Sequence, residues 1–161
     1  MTNRAFFRRS LFAVLLTNVF AFAASGQSAD DPRQFIGLYL DALSASQWEE
    51  LVRPFMPTRE VADDFVAQHR PFRKAFAGYR ASLKHLVVEG NRAVAWLRVS
   101  ARHVGVFPYD EFAGAKPDGK TISWEEVWYF DVENGKFGGE WDFLVNGVAR
   151  MKELGIRCLL D

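Results

Sequence analysis

Between residues 31 and 76 apolar side chains recur every three or four positions, and after Gly78 they recur at every second one. The first spacing predicts helices and the second predicts strands. Asp31-Pro32-Arg33-Gln34 writes a helix start, with an acidic N-cap, proline at the first helical position and glutamine three residues beyond the cap. The helix it opens carries Phe35, Leu38, Tyr39 and Ala42 on one face. Ser46-Gln47-Trp48-Glu49 reads as a second capping box, opening a short helix that stops before Pro54. A third helix is expected from about Val61 to Phe76, with Phe65, His69, Phe72 and Phe76 as its stripe. Pro71 falls inside it, where the missing N–H predicts a kink or a fresh start.

The strand half opens with Ala81 to Glu89 and a turn at Gly90-Asn91. Ala93, Ala95, Leu97, Val99, Ala101 and His103 then form one face, apolar until its last member, against a mixed face of Val94, Trp96, Arg98, Ser100 and Arg102. A long loop rich in Gly and Pro, Val104 to Gly119, leads to a third strand on which Ile122, Trp124, Glu126, Trp128 and Phe130 share one face. Asn134-Gly135 marks a type I′ hairpin turn, because both residues accept left-handed dihedrals. A fourth strand follows from Lys136 to Phe143, and Asn146 caps a last helix bearing Val148, Met151 and Leu154, closed by Gly155. Helices followed by antiparallel strands predict one α+β domain, with the helices on one face of a curved sheet.

Composition adds a compartment. Arg4, Arg8 and Arg9 precede an apolar run from Leu11 to Ala24 and a small, polar stretch beginning at Ser25, the pattern of a secretory signal peptide over residues 1–26. The run is too short for a membrane span, which takes about 20 apolar residues. Cleavage would leave a secreted or periplasmic domain over residues 30–161, without a stable span. Losing three arginines and no acid, it would carry 17 basic against 20 acidic side chains. A mildly acidic domain with no basic stripe is a poor nucleic-acid binder. Cys158 is the only cysteine, so no internal disulfide can form and stability falls to the core. Aromatic residues, 15% of the chain, give that core its supply of buried area.

Glu126 is the sharpest chemical anomaly in this pattern. It shares the face of two tryptophans, an isoleucine and a phenylalanine, so an inward strand would desolvate its carboxylate and raise its pKa into a range useful for proton transfer. Two plainer alternatives are a dimer surface with an arginine partner, or a bulge that turns the side chain outward. His103, at the end of an apolar strand face, could hydrogen-bond a substrate carbonyl, or simply bond a loop carbonyl. His69 lies on a helix stripe, where an imidazole is commonly a satisfied core group. Phe107, Tyr109 and Phe112 are candidates for a lid over a pocket, or for surface packing. The three histidines lack metal-ligand spacing, no Cys-x-x-Cys exists, and neither a phosphate-binding glycine loop nor a serine-hydrolase elbow is present, so no metal or cofactor is expected.

Several segments resemble one family. Ala101-Arg102-His103-Val104-Gly105-Val106-Phe107 is similar to a strand ending in His-x-Gly-x-Phe, and Gly119-Lys120-Thr121-Ile122-Ser123-Trp124 with Asn134-Gly135-Lys136-Phe137-Gly138-Gly139-Glu140-Trp141-Asp142 is similar to the hairpin that follows. With the closing Leu154-Gly155, the order resembles the SnoaL-like group (polyketide cyclases and ester cyclases) of the NTF2-like superfamily. The resemblance implies a cone-shaped pocket for a hydrophobic small molecule, lined here by His69, Leu97, Trp124, Trp128 and Trp141. It also places Asp142 near the family's acidic position. Two departures stand out. Phe55-Met56-Pro57-Thr58 occupies the place of an Asp-His pair, and Val145-Asn146 the place of a second aspartate. The function implied is that of an exported small-molecule-binding domain. In its enzymatic version it does acid–base chemistry of isomerase, cyclase or lyase type on a hydrophobic carbonyl compound, with Glu126 or Asp142 taking a proton and His103 holding the oxyanion. The alternatives are a non-catalytic binder, or a homodimeric interaction module using a sheet face with Trp96 or Tyr129.

Overall fold

The computed structural model describes residues 30–108 and 115–155. Helices come first: α1 (Pro32–Ser44), α2 (Trp48–Leu51), a 3-10 turn over Arg53–Phe55, and α3 (Arg59–Ala75). The strands β1 (Phe76–Glu89), β2 (Arg92–His103), β3 (Thr121–Glu133) and β4 (Lys136–Val145) form one antiparallel sheet in chain order, followed by α4 (Gly147–Glu153). The α+β expectation holds, with the helical layer on one face of the sheet.

Local chemistry explains most boundaries. The Asp31 side chain accepts from the Arg33 N–H at 3.0 Å, and the Thr58 hydroxyl accepts from the Val61 N–H at 3.3 Å, so both long helices start on side-chain caps. Asn134 (φ 53°) and Gly135 (φ 72°) are both left-handed, as the β3–β4 turn requires. Asn146 caps α4 by accepting from the Ala149 N–H at 3.0 Å.

Four features differ from the sequence expectation. Leu38 is exposed, because α1 buries Ile36, Leu40 and Leu43 alongside Phe35, Tyr39 and Ala42. The box at Ser46 does not form: the Ser46 hydroxyl donates to Gln47 Oε1 at 2.8 Å, and Glu49 instead binds Arg70 on α3 with both carboxylate oxygens. The α3 helix continues through Pro71 to Ala75. Phe76 does not extend the α3 stripe but opens β1, five residues before the expected strand start, and a register shift beside left-handed Gly78 joins its two parts.

The core has two aromatic clusters. Phe35, Tyr39, Phe55, Phe130 and Phe137 pack ring against ring, mostly edge to face, between α1 and the β3–β4 hairpin. Phe72, Phe76, Tyr79, Phe107 and Trp124 form the second, at the junction of α3 and β1. Each such ring pair adds about 0.5–1.5 kcal/mol to the burial it contributes. The second cluster is sealed by backbone: the Val104 and Gly105 N–H groups both donate to the Ala75 carbonyl, at 2.8 and 3.0 Å. Among the described residues no helix is long and apolar enough to cross a membrane.

Gly105 sets how closely that seal can approach. A Cβ there would stand 3.0 Å from Ala75 Cα and 3.1 Å from the Lys74 carbonyl oxygen, both rigid backbone. Gly105→Ala should therefore destabilise the domain by about 1–3 kcal/mol, the usual cost of overpacking. The urea midpoint measures it, and an unchanged midpoint would show that the seal yields.

Candidate functional site

The two aromatic clusters leave a hollow of about 440 Å³ between α3 and the sheet. That volume suits a molecule of a few fused rings. Buried Tyr39, Tyr79, Glu126, Phe130 and Phe137 form its floor, and Trp48, Phe65, His69, Trp128 and Trp141 its walls. Exposed Ala67, Gln68 and Pro71 on one side and Phe143 on the other mark the mouth.

Strand periodicity puts Glu126 on the floor. Trp124 and Trp128 lie two residues either side of it on the same face, and their indole nitrogens converge on it. Trp124 Nε1–H donates to Oε1 at 2.7 Å and Trp128 Nε1–H to Oε2 at 2.8 Å. Burial pushes the Glu126 carboxyl up from its ordinary value, while the two indole donors and the charge of Arg150 pull the other way. Neither plainer alternative is realised: the face packs under the helices, and no bulge interrupts β3 opposite β2.

The two phenols beside it are raised as well. Burial is the larger cause for Tyr39 and Tyr79, and the Glu126 charge adds to it in both. Both therefore remain neutral hydroxyls, able to donate, across the physiological range. His69 is fixed differently. Its Nδ1 lies 2.8 Å from the Phe65 carbonyl, which can only accept, so Nδ1 carries the hydrogen and Nε2 keeps a lone pair. Burial lowers its pKa, and the nearby Arg73 charge lowers it further against the opposing Phe65 bond, which keeps the ring neutral.

Arg73 supplies a cation to the wall. Its guanidinium lies over the Trp48 ring at 5.0 Å and the Tyr79 ring at 4.6 Å, and Nη1–H donates to the Leu43 carbonyl at 2.9 Å. Arg150 lies over Phe107 and Trp124, behind one of the indoles that hold Glu126. Among the described residues, no group of three or more His, Cys, Asp or Glu side chains is placed for a metal ion.

The hollow gathers Glu126, His69, Trp128 and Trp141 of the residues singled out from the sequence, with Asp142 at its rim. The others stand elsewhere. His103 is 1% exposed and outside the hollow. It stacks on Phe76 at 5.0 Å in the sealed end, because the Val104–Gly105 backbone bonds to Ala75 close that end over it. Leu97, the cross-strand partner of Glu126, is fully buried on the same face of the sheet and does not line the hollow. Trp124 does not line it either, but it holds Glu126 from behind. Asp142 borders the rim, yet its register with Tyr129 puts its side chain on the outer face, where Oδ1 accepts from the Phe143 N–H at 2.7 Å. Phe107 is packed in the second cluster rather than on a lid, and Tyr109, Phe112 and Cys158 lie outside the described residues.

Tyr39, Tyr79 and Arg73 were not singled out by sequence. Tyr39 had a signal, an inward helix position for a residue whose hydroxyl needs a partner. Tyr79 lies in the stretch between helix and strand periods, and Arg73 reads as an ordinary helix-surface charge.

Residues 39–154 match the SnoaL-like polyketide cyclase family model. No curated protein matches the chain. Solved structures share its fold. TsrD from Streptomyces laurentii is 22% identical over 78% of this chain and 95% of its own, with a TM-score of 0.62. A SnoaL-like polyketide cyclase from Agrobacterium tumefaciens is 17% identical over 80% and 99%, with a TM-score of 0.62. An NTF2-like protein from Burkholderia thailandensis is 16% identical over 76% and 96%, with a TM-score of 0.55. At these identities the likeness shows the NTF2-like fold alone.

A buried acid with a raised pKa leaves a signature in stability. Folded Glu126 holds its proton to higher pH than the unfolded chain does, so unfolding releases a proton between the two pKa values. Its contribution to stability therefore falls as pH climbs from about 4.5, the ordinary value, through the raised one. Glu126→Gln should remove that component. The urea midpoint difference between the variant and the wild type should shift in the variant's favour across the window, and a pH-independent difference would contradict the assignment.

Proposed function

Because the chain belongs to the SnoaL-like polyketide cyclase family, we propose that its hollow takes up a hydrophobic carbonyl compound and works on it by acid–base chemistry. The observation that carries this reading is the Glu126 carboxylate, held by two indole N–H groups on an aromatic floor beside two neutral phenols. Glu126 takes a proton from the carbon next to the carbonyl, and the C–H electron pair moves onto the carbonyl oxygen as an enolate. The Tyr39 and Tyr79 hydroxyls donate to that oxygen, in the role first considered for His103. Protonated Glu126 then returns the proton to carbon, at the same position or at another. The apolar walls keep water from the enolate, and placed donors with a base are sufficient for this step.

Proton exchange tests the step without the natural substrate. The wild type should speed deuterium uptake from D₂O into the α-position of 2-tetralone, followed by NMR, and Glu126→Gln should slow it about 10²–10⁴-fold. Full exchange in the variant would remove Glu126 from the role. Binding of 2-tetralone without any acceleration by the wild type would instead favour a non-catalytic binder.

A second reading, a homodimeric interaction module, is favoured by the outer sheet face, where Val87, Val94, Trp96, Val127 and Leu144 are exposed together. Sedimentation as a monomer at high protein concentration would eliminate it. Export is part of the proposal too, supported by the basic and then apolar start of the chain, which lies outside the described residues. Mass spectrometry of a periplasmic fraction should find a chain beginning near Gln27, and a cytoplasmic protein retaining Arg4 to Arg9 would refute it.

A further inference from the structure

Resting on the reading of the hollow as a small-molecule site, we propose that Arg73 makes the preferred guest an anion: a fused-ring compound whose carboxylate, or equivalent oxygen acid, seats on the guanidinium. Arg73 lines the hollow. It is half-buried on α3, yet among the described residues it has no acidic partner, whereas Arg53, Arg59, Arg70, Arg92 and Arg98 each pair with a carboxylate. What holds it is weaker and more geometric. The guanidinium lies over two rings, Trp48 and Tyr79, and one N–H is spent on the Leu43 carbonyl in the last turn of α1.

That arrangement fixes the plane of the fork while leaving most of its five N–H donors unspent. A guanidinium pre-organised in this way matches the two oxygens of a carboxylate, and its rotamer entropy is already lost before a guest arrives. A purely structural role, closing the C-terminus of α1, uses one donor and explains the bond to Leu43. It does not explain why a cation with no counter-charge borders an otherwise aromatic hollow. Glu126 does not supply that counter-charge: among the described residues no ion pair joins it to Arg73, and the cation that acts on Glu126 is Arg150. The hollow thus has a proton-transfer end at Glu126 and an anion-holding flank at Arg73, where the Tyr79 ring lies against the guanidinium.

Anthracene-2-carboxylate and anthracene-2-carboxamide share shape and differ in charge, and quenching of the hollow's tryptophans reports their binding. The wild type should bind the carboxylate about tenfold tighter, the worth of one charge-assisted hydrogen-bond pair. That preference should vanish in Arg73→Gln and persist in part in Arg73→Lys. Equal binding of the two probes by the wild type would overturn the inference while leaving a small-molecule hollow in place, and needs no variant that might misfold. A preference that survives in folded Arg73→Gln would also overturn it, by leaving Arg73 only its structural role. Failure of both probes to bind would overturn this inference and the proposed function together.

Discussion

A carboxylate is tolerated on the floor of this domain because its oxygens are met by two indole N–H groups from its own strand. An unpaired charge at that depth would be too costly to keep ionised. Here the sequence Trp-x-Glu-x-Trp carries both the acid and its solvation, since alternate residues of a strand share a face. The donors need no distant element to bring them into place. They also set a balance: two hydrogen bonds favour the charged form and burial favours the neutral one, so the group sits between a structural carboxylate and an acid that can exchange its proton.

The hollow exists because the aromatic residues around it pack against one another instead of filling it. One cluster ties α1 to the hairpin, and the other ties α3 to β1 and the loop after β2. Each is anchored through backbone or glycine, at the left-handed β3–β4 turn in one case and at Gly105 in the other. The space between them is bounded by rigid rings rather than by flexible chains. That favours a cavity with a fixed shape, because interiors packed at this density do not relax easily into a void.

The sequence revealed the sheet more completely than the site. Period two put Glu126 on the face of its neighbouring tryptophans, because strand alternation is strict, but the helices packed over that face are what make it inward. The same rule assigned His103 to the inner face of β2 but could not show which end of the cone is sealed, since that depends on the Val104 and Gly105 bonds to Ala75, contacts nearly thirty residues apart. Phe76 fitted the helix stripe by its spacing, yet the chain turns at Ala75 and gives it to the first strand. Asp142 followed a tryptophan that lines the hollow, and alternation alone then sends the next side chain outward. Arg73 and Tyr79 were illegible for another reason. Their significance comes from what they face across the hollow, and one-dimensional spacing does not record it.

The locked imidazole of His69 has a directional consequence. With its hydrogen committed to the Phe65 carbonyl, this ring meets any visitor as an electron-pair donor only, while the phenols opposite offer hydrogens. An alcohol suits the first surface and a ketone the second. A molecule bearing both would find one orientation comfortable and its reverse repulsive, so the direction in which it lies follows from a single tautomer.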